Sequence, residues 1–158
     1  NRTDVNDIID KAASVAVNTG RSVSIYRKCN KNLWRITDRK GKTGQALLDL
    51  LLHQVGATPK ITKAVYIESD NTFVDSTAAQ RQRIQAGEYV KISLSMKCVH
   101  YISDAGTNRN DTRYKTAVLY IRACGGSFTG STGADGRTEM TIFLPVSGTR
   151  SLISYCIQ

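Results

Sequence analysis

From residue 61 onward, the sequence runs through short segments that alternate apolar and polar residues or are apolar throughout. Such period-2 segments, bounded by Asn, Asp, Gly or Ser clusters, are typical of β-strands. Short connections between consecutive strands favour antiparallel pairing, and Asp135-Gly136 is a strong type I′ hairpin signal. The predicted strands are ITKAVYIES, EYVKISLSMKCVHYI, YKTAVLYIRAC, TEMTIFLPV and SLISYCIQ. We therefore predict an antiparallel meander for this part of the chain.

Two amphipathic helices are predicted before this β region. The first, TDVNDIIDKAASVAVNTG, has Thr3 as its cap and stops at Gly20, and the second, TGQALLDLLLHQVG, stops at Gly56. Between them, SVSIYRKC and NLWRITD are predicted to form a hairpin. The Gly- and Ser-rich SFTGSTGADGR is predicted to be a mobile loop. The predicted fold class is α+β and β-rich, an antiparallel sheet or small β-barrel flanked by two helices.

The length of the chain limits the number of its domains, and its charge limits the kinds of partner it favours. Its 158 residues, 41% of them hydrophobic, predict a single domain over residues 1–158. Lys and Arg outnumber Asp and Glu by 22 to 13, and the net charge of +9 favours acidic partners such as nucleic acid, anionic lipid or pectic polysaccharide. No stretch approaches ~18 consecutive apolar residues, so no membrane span is predicted. The chain starts at Asn1 and not at Met, which fits removal of a signal or pro-segment.

Four cysteines, Cys29, Cys98, Cys124 and Cys156, predict disulfide bracing. None has C-x-x-C spacing, so neither a zinc site nor a thioredoxin-type site is supported, and an even cysteine count fits a secreted chain. The apolar faces of the predicted strands place Cys29 and Cys98 inward and the other two outward. Strand parity therefore favours the pairs Cys29–Cys98 and Cys124–Cys156, although one β-bulge would change the inference. The second pair would anchor the C-terminal strand.

Catalytic chemistry has little support in the sequence. His53 lies among the leucines of the second helix and His100 on the inward face of a strand, and structural roles are favoured for both. No G-x-S-x-G, H-E-x-x-H, P-loop or dinucleotide fingerprint occurs. The glycines of CGGSFTGSTGADG precede a strand and not the helix that a phosphate-binding loop requires. We therefore predict no enzyme activity, no cofactor and no metal.

The densest positive charge lies in residues 27–42, RKCNKNLWRITDRKGK, with Trp34 among the basic residues. Such a patch could hold single-stranded nucleic acid by stacking on the indole, or it could meet an acidic protein surface. Charge runs are usually solvated, so a solvated hairpin whose Trp faces the core is the favoured interpretation.

With four cysteines, a start at Asn1 and a β-rich body, the chain resembles the mature effector toxins secreted by necrotrophic fungi that infect cereals. The resemblance spans the whole chain and rests on size, charge and cysteine number, without a signature motif. It implies an extracellular, non-enzymatic β-barrel protein, released from its pro-segment by a Kex2-type protease, that triggers host cell death through a host surface receptor. The residues themselves predict a secreted, disulfide-braced, basic binding protein.

Two other functions stay open from the residues alone. One is a secreted basic ribonuclease-like toxin using His53 or His100, or a nucleic-acid-binding protein, and the other is a structural coat or filament subunit. The favoured partner is a host protein receptor or an extracellular defence protein, bound by a monomer, with nucleic acid disfavoured. The basic segment would steer the approach and exposed loops would make the contacts. The candidate contact residues are Lys31, Arg39, Lys40, Arg109, Arg113, Asp135 and Arg137.

Overall fold

The computed structural model describes residues 2–18, 23–38, 40–55, 63–98, 112–132 and 137–146. The helices are α1 (Val5–Val17), α2 (Lys42–Val55), α3 (Ser76–Gln82) and α4 (Thr112–Ala123). The strands are β1 (Arg2–Thr3), β2 (Val23–Cys29), β3 (Ile36–Thr37), β4 (Lys63–Val74), β5 (Gly87–Cys98), β6 (Ser127–Thr132) and β7 (Thr138–Pro145). Within these ranges, no helix is long and apolar enough to cross a membrane.

The main sheet has five strands in the order β2-β4-β5-β7-β6. β2 runs parallel to β4, and the other neighbouring pairs are antiparallel. α1 packs on α2 and α2 packs on α4, and their apolar residues join one core with the sheet face that carries Val65, Ile67 and Ile92. The architecture is an α/β sandwich, and β2 and β6 are the outer strands of its sheet within the described ranges. The prediction of an α+β antiparallel sheet or small barrel flanked by two helices is therefore wrong.

The first predicted helix is confirmed as α1, but Asp4 and not Thr3 caps it. Asp4 has an extended backbone, and its Oδ1 accepts a hydrogen bond from the Asn6 N–H at 2.9 Å. Such a side chain satisfies one of the N–H groups that a helix start leaves without an intrahelical partner. The second predicted helix is confirmed as α2. The buried face of α1 consists of Val5, Ile8, Ile9, Ala12, Ala13 and Ala16.

The predicted strand YKTAVLYIRAC is wrong, because this segment belongs to helix α4. Ala117, Val118 and Ile121 are buried at helical spacing. Leu119, which a strand would have turned inward, is 64% exposed. The 3.6-residue period of the buried positions, and not the apolar alternation, decides the structure here.

Helix α4 ends in a Schellman motif. The Gly126 N–H donates to the Ile121 carbonyl at 2.9 Å, and the Gly125 N–H donates to the Arg122 carbonyl at 3.1 Å. Gly125 has a φ of 90°, the left-handed conformation that this motif requires and that glycine adopts without a steric penalty. The glycine pair therefore stops a helix and sends the chain into β6.

Residues 27–42 do not form the predicted hairpin. β2 ends at Cys29 and pairs with β4, whereas β3 pairs with β1. The chain after β2 is held against β4 by Asn71, whose side chain accepts a hydrogen bond from the Trp34 N–H at 2.8 Å and donates one to the Asn32 carbonyl at 3.0 Å. A parallel pair needs a long crossover connection, and the stretch containing β3 and α2 supplies it.

Disulfide bracing is contradicted, because the described residues contain no disulfide. Cys29 is a free thiol whose Sγ donates to the Ile67 carbonyl at 4.0 Å. Its register partner is Ser69, which lies opposite Ile92, whereas Cys98 lies at the far end of β5, roughly 20 Å further along that strand. Disulfides join Cα atoms less than ~7 Å apart. The Cys29–Cys98 pair is therefore wrong.

The second predicted pair involves residues beyond the described ranges. Cys124 directly follows α4, and its Sγ donates to the Ile121 carbonyl at 3.1 Å. Cys156 and the predicted strand SLISYCIQ lie outside the described residues. The Cys124–Cys156 pair and the anchoring of the C-terminus stay predictions.

The predicted loop SFTGSTGADGR is in part an edge strand. Residues 127–132 form β6, which pairs antiparallel with β7. Residues 133–136, including the hairpin signal Asp135-Gly136, lie outside the described ranges. The weak β propensity of this segment does not predict a strand, and the segment becomes one because it pairs with β7.

The second face of the main sheet is covered at one end by α3. Asp75 caps this short helix, accepting a hydrogen bond from the Ala78 N–H at 2.8 Å. A small apolar cluster lies beneath it, formed by Val74, Ala79, Tyr89 and Phe143. The Tyr89 hydroxyl donates to the Gln85 carbonyl at 2.6 Å, so its one polar group is satisfied although the ring is buried.

Candidate functional site

Four of the seven residues predicted to contact a partner lie within the described ranges, in four separate parts of the chain. Lys31 is in the turn after β2, Lys40 precedes α2, Arg113 is in the first turn of α4, and Arg137 precedes β7. All four are exposed. Arg39, Arg109 and Asp135 lie outside the described residues. Their role in partner binding stays a prediction.

Of the two histidines considered for catalysis, the structure describes His53. It lies near the C-terminal end of α2, and its ring stacks on Tyr114 with centroids 4.1 Å apart and an interplanar angle of 25°. His100 lies outside the described residues. The described contact of His53 is thus with an aromatic face, a packing interaction.

α2 and α4 lie side by side and run in opposite directions. Near the start of α2, the hydroxyls of Thr43 and Tyr120 lie 3.2 Å apart, whereas near its end His53 meets Tyr114. The C-terminal end of α2 and the N-terminal end of α4 therefore lie together. We call this place the seam end and define it by residues 53, 54 and 112–114.

Gln54 is the unusual residue at the seam end. It is 5% exposed, and its Nε2 donates to the Leu94 carbonyl at 3.1 Å and to the carbonyl and hydroxyl oxygens of Thr138, each at 3.3 Å. These bonds join the end of α2 to β5 and β7. Its Oε1 is buried and is the side-chain polar atom without a hydrogen-bond partner within the described part of the chain. An unsatisfied buried acceptor costs about 1–3 kcal/mol, so a donor group arriving there would be favoured.

Aromatic rings line the α4 side of the seam end. The Tyr114 ring packs edge-to-face against Phe128 of β6, with centroids 5.8 Å apart and an interplanar angle of 79°. Burial raises the pKa of Tyr114, and the positive charge of Arg122 opposes that shift. The phenol therefore stays protonated at neutral pH, and the ring offers a flat uncharged surface.

The start of α4 gives the seam end a positive electrostatic character. The first N–H groups of a helix have no intrahelical acceptors, and the macrodipole places roughly half a positive charge there. Arg113, in the first turn, adds a cation. Among the described residues, no group of three or more His, Cys, Asp or Glu could hold a metal ion, so we assign no metal ligands. The seam end thus combines a buried acceptor, ring faces and a positive helix end.

Sequence reasoning missed Gln54 and Tyr114. Tyr114 was hidden because its segment was assigned to a strand, although the Gly125-Gly126 pair after the basic Arg122 is a helix-stop signal. Gln54 could not be found, since a glutamine on a leucine-rich helix carries no signal of its burial against a distant strand.

The fold is similar to that of histidine kinase domains. No protein-family model matches the sequence, and no curated protein matches it. The histidine kinase domain of a blue-light activated kinase from Erythrobacter litoralis superposes with a TM-score of 0.61 at 14% identity, covering 92% of this chain and 66% of that one. The catalytic domain of histidine kinase ThkA gives 0.65 at 12% identity, with 92% and 94% covered. Full-length ShkA in complex with AMPPNP gives 0.63 at 14% identity, with 92% and 30% covered. At these identities, the likeness shows the fold.

These neighbours overturn four expectations from the sequence. The resemblance to secreted effector toxins is wrong, because the similar structures are histidine kinases, among them one from Acinetobacter baumannii. The function of a toxin that binds a host receptor loses its basis with that resemblance. The fold similarity also contradicts the ribonuclease-like and nucleic-acid-binding alternatives, which were predicted from the residues alone. The expectation of a non-enzymatic protein is contradicted too, since histidine kinase catalytic domains are enzymes.

Proposed function

We propose that this chain is an ATP-binding domain of the histidine-kinase type, with the nucleotide at the seam end. The observation that carries the proposal is the buried, unpartnered Gln54 Oε1. The likeness to histidine kinase catalytic domains supports it, as does the AMPPNP, an ATP analogue, bound in full-length ShkA.

The base is the part of ATP that Gln54 would recognise. Adenine presents an exocyclic amino group, which donates hydrogen bonds, where guanine presents a carbonyl oxygen, which accepts them. Gln54 Nε2 already donates to the Leu94 and Thr138 oxygens, which leaves Oε1 as the polar atom of this side chain that would bind a ligand. An acceptor in this position favours adenine over guanine. The Tyr114 and His53 rings beside it are suited to contact a flat base.

The phosphates would lie toward the start of α4. A helix N-terminus binds phosphate through its free N–H groups and dipole, and Arg113 would add a charge-assisted contact. The reaction class is phosphoryl transfer from ATP. This chain spans 66% or less of several neighbours, so the acceptor histidine and the partner domains of such a kinase belong to the proposal and not to the described structure.

Calorimetric titration of the chain with ATP tests the proposal. We expect ATP to bind and GTP to bind more weakly. Gln54→Met, which keeps the size of the side chain and removes its polar atoms, should raise the Kd for ATP about tenfold, the equivalent of one hydrogen bond of ~1.4 kcal/mol. The matched control is Gln45→Met on the exposed side of the same helix, where the Gln45 side chain donates to Asp49 at 3.0 Å. This variant should bind ATP like the wild type.

Three results would contradict the proposal. Absence of ATP binding at millimolar concentration would reject the function. ATP binding that responds equally to the Gln54 and Gln45 variants would reject the site. Equal binding of ATP and GTP by the wild-type chain would reject the role of Oε1, and this measurement needs no variant to fold.

A further inference from the structure

Among the strands that the structure describes, β2 is an edge of the main sheet. The Asn30 N–H donates to the Ser69 carbonyl at 3.0 Å, which fixes the phase of the β2–β4 ladder. In a parallel ladder, alternate residues of a strand direct both backbone groups to the same neighbour. The even-numbered residues of β2 therefore face β4, and the odd-numbered residues direct their N–H and C=O groups away from the sheet. Within the described ranges, no backbone hydrogen bond engages those outward groups. The outward residues are Val23, Ile25, Arg27 and Cys29.

Two exposed aromatic rings lie beside this edge. Tyr26 of β2 stacks on Tyr66 of β4, with centroids 5.2 Å apart and an interplanar angle of 19°. The two rings are 54% and 45% exposed, and they lie on the sheet face that α1, α2 and α4 leave open. A long edge strand without Pro or a bulge, next to exposed aromatic rings, is the type of edge that pairs with another strand.

We propose that β2 pairs antiparallel with β2 of a second copy of this chain, about a two-fold axis through Tyr26. An axis there places Tyr26 opposite its own copy as a non-hydrogen-bonded pair, the kind whose side chains lie closest together. Ile25 then faces Arg27 of the second copy, and Val23 faces Cys29. All four outward residues gain hydrogen-bonded partners, and the main sheet continues through both copies.

Charge and strand length together favour this register over its neighbours. With the axis at Tyr26, Lys28 faces Ser24 of the second copy, and no like charges are directly opposite. Moving the axis to Arg27 or Lys28 would set two identical cations against each other, which is unfavourable. Moving it to Ile25 opposes no like charges but leaves Lys28 and Cys29 without partners in the second β2. Arg27 is already paired with Asp10 of α1, so its charge is partly neutralised. The edge is therefore self-complementary in a single full-length register, as a two-fold interface requires.

The rings would form the apolar centre of the interface. The stacked Tyr26–Tyr66 pair of one copy would contact the same pair of the other copy, which gives four aromatic rings in a row across the interface. Paired aromatic residues across antiparallel strands are among the more stabilising cross-strand pairs. Because only one strand of each copy takes part, the dimer is of the small, transient class, with dissociation at roughly micromolar to millimolar concentration.

Sedimentation velocity over a concentration series tests this proposal. We expect a reversible monomer–dimer equilibrium with no larger species, since a two-fold contact closes on itself. Tyr26→Lys puts two cations opposite each other at the axis and should raise the dimer Kd more than tenfold. The control is Phe73→Lys, which removes an even more exposed aromatic ring, 69% exposed, away from this edge, and should leave the equilibrium unchanged.

Amide hydrogen exchange provides a second readout that depends on register. Raising the protein concentration should slow exchange at Ile25 and Arg27, whose N–H groups point outward, and leave Tyr26, already bonded to β4, nearly unchanged. A chain that stays monomeric at millimolar concentration would overturn the proposal. So would a dimer equally sensitive to the Phe73 and Tyr26 substitutions, or one without protection at Ile25 and Arg27.

Discussion

Gly126 gives the sharpest prediction of stability, because backbone atoms surround its empty side-chain position. A Cβ added there would lie inside van der Waals contact with the Phe143 carbonyl oxygen of β7, and 3.0 Å from both the carbonyl oxygen and Cγ2 of Ile121. Two of these three atoms belong to the backbone, one in α4 and one in β7. They can move only if the Schellman motif or the start of the β6–β7 pairing distorts.

We expect Gly126→Ala to destabilise the chain by about 3 kcal/mol, the upper part of the range for overpacking a site that cannot relax. For a chain of this length, that loss lowers Tm by about 6–12 °C. Urea unfolding followed by Trp34 fluorescence and by circular dichroism measures the change directly. Nearly all of it should appear in the urea midpoint, with the slope unchanged, since the folded surface area is conserved.

Gly44 is the matched control, a glycine in α2 with room for a methyl group. The nearest atom to an added Cβ is Ile8 Cγ2 at 3.6 Å, an ordinary contact. Gly44→Ala should therefore stabilise the chain by about 0.5 kcal/mol, because alanine restricts the unfolded chain and favours the helix. If Gly126→Ala unfolded within 0.5 kcal/mol of the wild type, or if both alanines had the same sign of effect, the close approach of β7 to α4 would be wrong.

Two further predictions concern the amide network at the ends of β2 and β4. The hydrogen bond from the Asn30 side chain, and then that from the Asn71 N–H, lower the pKa of Asp70 below its usual 3.8. A lowered pKa stabilises the folded chain above pH 3.8, and this stability is lost as the pH falls through the pKa of the folded state. The urea midpoint of the wild type should therefore drop more steeply below pH 3.8 than that of Asp70→Asn. Parallel curves of urea midpoint against pH for the two proteins would contradict this. Asn71→Ala removes the hydrogen bonds to Trp34 and Asn32, so it should lower the free energy of unfolding by about 1–2 kcal/mol and shift the fluorescence emission of Trp34. Unchanged emission would show that the chain after β2 does not depend on Asn71 for its position.

The sequence predicts the elements whose burial follows one local period. α1 and α2 show apolar residues at helical spacing, and the strands around Val65 and Ile92 alternate as half-buried strands do, so both kinds were identified. α4 was missed because its β-branched and aromatic residues have strand propensity, while its buried face is short. The glycines after it were predicted to belong to a loop, and they end the helix.

Neither the pairing of β2 with β4 nor the burial of Gln54 can be predicted from local sequence patterns. β2 pairs with β4, which is distant in sequence, and not with the segment that follows it, because the crossover through α2 covers the apolar face that β2 and β4 share. The burial of Gln54 depends on three elements meeting, with β5 and β7 supplying the oxygens for its Nε2. Disulfides were predicted from a cysteine count, and the strand register separates Cys29 from Cys98 whatever their parity.

The parallel pairing of β2 with β4 also orders the assembly of the fold. β4 and β5 are joined through the short α3, and β6 and β7 follow each other directly, so these pairs close short loops. Val23 and Lys63, in contrast, meet only after the long connection through β3 and α2 has been closed, which costs more chain entropy. β5 and β7 likewise meet only after the long stretch through α4 and β6 has been closed, so the β4–β5 and β6–β7 pairs form first and the β2–β4 and β5–β7 pairings join them later.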